Sequence, residues 1–107
     1  MDYRIALKQL IEEYRDGIME IYQVTTTAAM KDAKKLGLFK KRKFGGYIEN
    51  FRSHMEAARA LNVDAIEIPE TDEESRTLAD LLKKSIQSFC LLCDLSVEFY
   101  EMAEKKQ

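Results

Sequence analysis

The chain is poor in residues that end helices, form tight turns or cross-link the backbone. Its 107 residues include one proline, four glycines, two cysteines and no tryptophan. So little glycine and proline does not supply the turns of an all-β domain, and two cysteines are too few for a disulfide framework. No apolar run reaches the roughly 18 residues of a membrane span. We therefore expect a single α-helical domain over residues 1–107.

Apolar residues recur at helical spacing in three parts of the chain. In residues 2–36, in residues 47–61 and from residue 71 onward they follow one another in steps of three and four, which is the pattern of one helical face. These lengths predict an all-α helical bundle with two long antiparallel helices and one shorter connecting helix. Residues 63–69 are predicted to form an ordered loop, because a single strand without a partner is not stable.

Several residues at the ends of these patterns are suited to capping. Asp2 is a plausible N-cap of the first helix, and Thr71 with Glu74 has the spacing of a capping box for the third. The first helix also contains two weak points. Gly17 has low helix propensity, and residues 24–27 are a β-branched run. A kink or break is therefore expected within residues 24–27.

The C-terminal pattern carries more apolar residues than one helical face can use. A helix that is apolar on more than one side requires neighbours on both sides, and the rest of this short chain offers too few. A second copy would supply them, so the sequence predicts a homodimer that completes the bundle. The residues expected in its self-association surface are Phe89, Leu92, Leu95, Phe99 and Met102.

Charge is distributed unevenly, although the formal net charge of the chain is only -2. Residues 31–47 hold six lysines and one arginine against one aspartate, and residues 64–80 hold seven carboxylates against one arginine. Basic residues with aromatic neighbours are typical of a surface that binds nucleic acid or another anion. The alternatives are pairing with the acidic segment of the same chain or with an acidic protein. The candidate anion-binding residues are Lys34, Lys35, Lys40, Lys41, Arg42 and Lys43.

The sequence contains no constellation that is typical of catalysis or metal binding. His54 is the only histidine, and neither an ExxH pair nor a glycine-rich turn accompanies it, so di-iron and nucleophilic sites are not indicated. Cys90 and Cys93 match a CxxC pattern, but they lie far inside the predicted third helix among apolar residues. That position predicts buried structural cysteines rather than a redox or zinc site. We expect no catalytic residue, no metal and no cofactor.

The sequence as a whole therefore predicts a non-catalytic helical interaction or regulatory module that self-associates. Nucleic-acid binding through the basic connection is one alternative. A bundle that binds a small ligand is another, and it requires an enclosed polar pocket near Tyr14, Tyr22 or His54. Met1 is followed directly by Asp2 and charges recur through the first helix, so we expect no signal peptide and a cytoplasmic protein.

Overall fold

The computed structural model describes residues 2–34 and 45–105, and it contains no β-strand among them. The prediction of an all-α fold is confirmed. The N-terminal helix is continuous and consists of α1 (Tyr3–Tyr14), a π-helical turn (Arg15–Met19) and α2 (Glu20–Lys34). The elements that follow are α3 (Gly45–Arg59), a 3₁₀ turn (Val63–Ala65) and α4 (Glu73–Lys105).

The N-terminal helix begins where the sequence predicts. The carboxylate of Asp2 accepts a hydrogen bond from the backbone N–H of Arg4 at 3.0 Å, which satisfies one of the free donors of the first turn. The β-branched run does not break the helix. The hydroxyl groups of Thr25 and Thr27 donate to the carbonyl oxygens of residues 21 and 23, so the side chains bond to the helix that they would otherwise weaken.

The irregularity of the N-terminal helix lies around Gly17, in the π-helical turn. Tyr14, Ile18 and Tyr22 are all buried in the core. The first and the last of them are eight positions apart in the sequence. Two α-helical turns take about 7.2 residues. The wider π-helical turn takes up the extra residue and keeps all three side chains on the same face.

The two long helices run parallel, so the prediction of an antiparallel pair is wrong. Hydrogen bonds join Tyr3 to Asp72, Tyr14 to Ser85 and Tyr22 to Ser96. Residue numbers rise together along both helices, which only a parallel pair allows. The physical reason is that the chain between the two long helices runs back along the whole molecule. It returns to the N-terminal end of the first helix, where Asp72 bonds to Tyr3. α4 begins there, so it runs in the same direction as the first helix.

The return path consists of α3 and the connection after it. α3 is antiparallel to both long helices, because residue numbers rise along α3 as they fall along its partners. The contacts are Tyr47–Asp32 and His54–Thr25 with α2, and Arg52–Glu101 and Met55–Cys90 with α4. Residues 60–72 continue in the same direction without forming a full helix. Within them Val63 is buried, and the two isoleucines that follow pack against the core. The predicted ordered loop is therefore present, and it covers the half of the bundle that the short α3 does not reach.

Aromatic rings hold the three helices together at the centre of a rod with extents of 59 × 18 × 17 Å. The ring of Phe89 contacts Tyr14 and Tyr22, with centroid separations of 5.9 and 5.1 Å. Phe51 from α3 is fully buried and contacts Tyr22 and Tyr100. Each of the three helices contributes at least one ring, so the cluster fixes their mutual rotation as well as excluding water.

α4 is capped by Asp72 and not by Thr71. One carboxylate oxygen of Asp72 accepts from the backbone N–H of Ser75, and the other accepts from Tyr3 and Arg4 of the N-terminal helix. The bond from Tyr3 is the largest cause of the lowered pKa of this carboxyl group. The predicted capping box of Thr71 and Glu74 is therefore wrong. Asp72 is the N-cap instead, because it satisfies the helix start and the contact with α1 together.

Burial along α4 leads to a stability prediction for two neighbouring leucines. Leu82 is 6% exposed and Leu81 is 57% exposed. We expect Leu82→Ala to lower the free energy of unfolding by about 2–5 kcal/mol, since it leaves a cavity in the core. Leu81→Ala is the matched control, with an expected change within about 0.5 kcal/mol. Urea denaturation of dilute protein measures both, and equal losses would contradict this orientation of α4.

Candidate interaction surface

α4 presents apolar residues on two separate faces. One face enters the core of the chain, and its buried residues are Ala79, Leu82, Ile86, Phe89, Cys90, Cys93, Val97 and Tyr100. The second face is exposed although it is also apolar. A helix in a small soluble domain normally has one such stripe, with charged residues on the other side. The second stripe is therefore the feature of this chain that its own fold does not explain.

We call the second face the α4 stripe. Its eight residues are Leu78, Leu81, Ser85, Ser88, Leu92, Leu95, Phe99 and Met102. They are spaced alternately by three and four residues over seven helical turns, which is the spacing by which one α-helix packs along another. The six apolar members are each between 45% and 57% exposed. The stripe lies next to the N-terminal helix, whose Tyr14 bonds to Ser85.

Of the five residues that the sequence predicts for self-association, four are exposed in the structure and one is buried. Leu92, Leu95, Phe99 and Met102 lie in the α4 stripe and are exposed. Phe89 is only 4% exposed and belongs to the aromatic cluster of its own chain, so it is not part of this surface. The apolar pattern alone did not separate the two faces, because both repeat in steps of three and four.

One edge of the α4 stripe is closed by the core, and the other edge is open. The open edge carries Lys84, Leu91 and Glu98, which are spaced by seven residues and are all exposed. Leu91 is 60% exposed. A helix that packed on the stripe would meet these three side chains along its flank, in the positions that set partner orientation in coiled coils.

The candidate anion-binding residues fall at the limit of the described structure. Lys35, Lys40, Lys41, Arg42 and Lys43 lie outside the described residues, and for Lys34 only the backbone is described, as the last residue of α2. The described neighbours of this connection lie near the end of α4, since Tyr47 bonds to Asp32 and Arg52 of the same helix bonds to Glu101. The acidic residues 64–80 flank the beginning of α4, at the opposite end.

His54 makes a polar contact between α3 and α2. Its Nε2 atom lies 3.0 Å from the hydroxyl oxygen of Thr25. That hydroxyl donates to the carbonyl of Ile21, so we assign the proton of the neutral imidazole to Nε2. The ring also meets the edge of Tyr22. Burial lowers the pKa of His54, because the charged imidazolium is less well solvated there.

Cys90 and Cys93 are free and buried, as the sequence predicts. The thiol of Cys90 donates to the carbonyl of Met55 at 3.8 Å. Cys93 has no exposed surface, and burial raises the pKa of its thiol to about 12. A thiol protonated at neutral pH is a poor nucleophile and a poor metal ligand. Within the described part of the chain, no group of three histidine, cysteine or carboxylate side chains is arranged to hold a metal ion.

The polar groups that were expected to line a ligand pocket are used in packing. Tyr14 bonds to Ser85, and Tyr22 bonds to Ser96. A groove with a volume of about 830 Å³ lies elsewhere, between the end of α3 and the middle of α4. It is open to solvent, and an ion pair between Lys83 and Asp64 is part of its wall. Neither Tyr14, Tyr22 nor His54 lines this groove.

Comparisons of the chain with protein-family models, with curated proteins and with solved structures give no match. The function is therefore inferred from the geometry of this chain alone. None of the described helices is long and apolar enough to cross a membrane. Among the surfaces described above, the α4 stripe is the one whose spacing and exposure together indicate a specific kind of partner.

The environment of His54 predicts a pH dependence of stability. Its pKa in the folded chain lies below the value of about 6.5 in the unfolded chain, so the unfolded state binds more protons in between. The contribution of His54 is fully present above about pH 6.5 and is lost as the pH falls below it. We expect His54→Gln to flatten this part of the profile, measured by urea denaturation between about pH 7.5 and 5.5. A variant profile that is parallel to that of the unmodified chain would refute the assignment.

Proposed function

We propose that the chain is a non-catalytic helical interaction module that self-associates through the α4 stripe. The observation that carries this proposal is the exposure of six large apolar side chains along one face of α4, in two groups that Ser85 and Ser88 separate. Scattered apolar residues are common on protein surfaces, but a contiguous apolar patch indicates an interaction site. A regulatory role would follow if association changes what else the chain binds.

The spacing of the stripe favours another α-helix as the occupant. Alternate steps of three and four place the side chains along a seam about 36 Å long, at 1.5 Å per residue. A globular pocket for a small molecule has a different form, since it is concave and encloses its ligand. A second copy of the chain offers an identical stripe. One interface with twofold symmetry therefore covers both apolar surfaces at once.

The size of the stripe suits a reversible complex. Full burial of a large apolar side chain contributes about 1.5–3 kcal/mol, and these six are already half covered. Burial of the remaining surface on two chains then contributes on the order of 10 kcal/mol. Association costs about 4–15 kcal/mol in lost freedom of motion. The two terms are of the same order, so we expect a dimer whose population depends on protein concentration.

Substitution within the stripe tests the proposal. At tens of micromolar, we expect the unmodified chain to have the mass of a dimer by size-exclusion chromatography with light scattering. Leu95→Glu should have the mass of a monomer, because it places a charge in the seam. Val24→Glu is the matched control and should remain dimeric, since Val24 is 69% exposed and lies on α2, outside the stripe. Circular dichroism should show equal helicity in all three proteins.

Two results would contradict the proposal. The first is a monomeric mass for the unmodified chain at tens of micromolar and at every lower concentration measured. The second is loss of dimer in both variants or in neither, since the association would then not depend on the stripe.

A further inference from the structure

We infer that two copies pair with their α4 helices antiparallel, centred between Ser88 and the partner's Leu92. This inference rests on the self-association proposed above and adds its register. Two independent features of α4 support it: the sizes of the stripe residues and the charges on its open edge.

The sizes of the side chains favour the antiparallel arrangement. If residue numbers in facing layers sum to 180, Ser88 faces the partner's Leu92, and Ser85 faces the partner's Leu95. Each small side chain then meets a large one, as close packing requires. The outer layers join Leu81 to the partner's Phe99 and Leu78 to the partner's Met102. All eight stripe residues of one chain then face a stripe residue of the partner.

A parallel arrangement in register packs the same residues less well. Each layer would then contain two copies of one side chain. Ser85 and Ser88 would face their own copies in two successive layers at the middle of the interface, and Phe99 would face a second phenylalanine. The centre would lack apolar contact and the outer layer would be crowded. Both defects weaken an interface that has only six apolar residues from each chain.

The open edge of the stripe points to the same register. In an antiparallel pair the flanking positions on this edge lie opposite one another. Lys84 then faces the partner's Glu98, and the symmetric pair forms with the roles exchanged. Leu91 meets the partner's Leu91 beside the twofold axis. In a parallel pair the open edge would face the residues at the core edge, where Leu82 and Phe89 are buried and offer no charge to Lys84 or Glu98.

Cysteine cross-linking tests the register directly. The variants are Leu81→Cys and Phe99→Cys, whose parent residues are both 57% exposed. Under mild oxidation we expect neither variant alone to form a disulfide-linked dimer, because in this register equivalent positions lie about 27 Å apart. An equimolar mixture should form a linked pair of one chain of each kind. The unmodified chain is the control for Cys90 and Cys93, which are buried and should not cross-link.

Each outcome of this experiment has a defined meaning. If each variant cross-links to itself and light scattering still shows a dimer, the register is parallel, so this inference fails while the proposed function stands. If the chain is monomeric and no mixture cross-links, both fail, and the stripe then serves a partner of different sequence. A linked mixture with unlinked single variants supports both.

A charge exchange supplies a second readout that does not depend on cysteine. Lys84→Glu and Glu98→Lys should each weaken association roughly tenfold at low salt, since each creates two like-charged contacts in the dimer. The double variant restores opposite charges at both contacts and should recover the affinity of the unmodified chain. Additive losses in the double variant would overturn the proposed register.

Discussion

α4 is apolar on two faces, and residues 2–34 and 45–105 bury only one of them. The remaining features of the molecule follow from this constraint. The N-terminal helix, α3 and the connection after it are all needed to cover the face that contains Phe89 and Cys93. No described element is left to cover the α4 stripe. Exposure of six large apolar side chains to water is unfavourable, which is why the interaction proposed above was assigned to this face.

The parallel direction of the long helices follows from the lengths of the elements between them. α3 has 15 residues, less than half the length of α4, so it cannot cover the bundle alone. The return path is completed by residues 60–72, in which Val63 packs as a core residue without helical structure. The prediction of two antiparallel long helices with one shorter connecting helix did not include the path of residues 60–72 along the rod. The alternation of isoleucines before Pro69 was the available signal, because a loop that only turns has no need of apolar residues at regular intervals.

The sequence was sufficient for the helices, for the cap at Asp2 and for burial of the two cysteines, since these depend on local spacing and hydropathy. It was insufficient where two residues fit the same local pattern equally well. Thr71 and Asp72 are both good caps, and the contact of Asp72 with Tyr3 decides between them. Phe89 and Leu92 both continue steps of three and four along α4. Only the rotation set by the aromatic cluster shows that the first is internal and the second is exposed. Tertiary contacts selected among local alternatives in each case.

The charges beside the α4 stripe act separately from its apolar surface. Lys84 and Glu98 are both exposed and lie 14 positions apart on the open edge, which is about 21 Å along the helix. Attraction within one chain over that distance is weak, since charges are screened over about 10 Å in salt. Between two α4 helices that lie side by side in opposite directions, as proposed above, the same charges become neighbours. In such a pair apolar burial along the stripe would provide the affinity and the edge charges would provide the orientation, so each term depends on different residues.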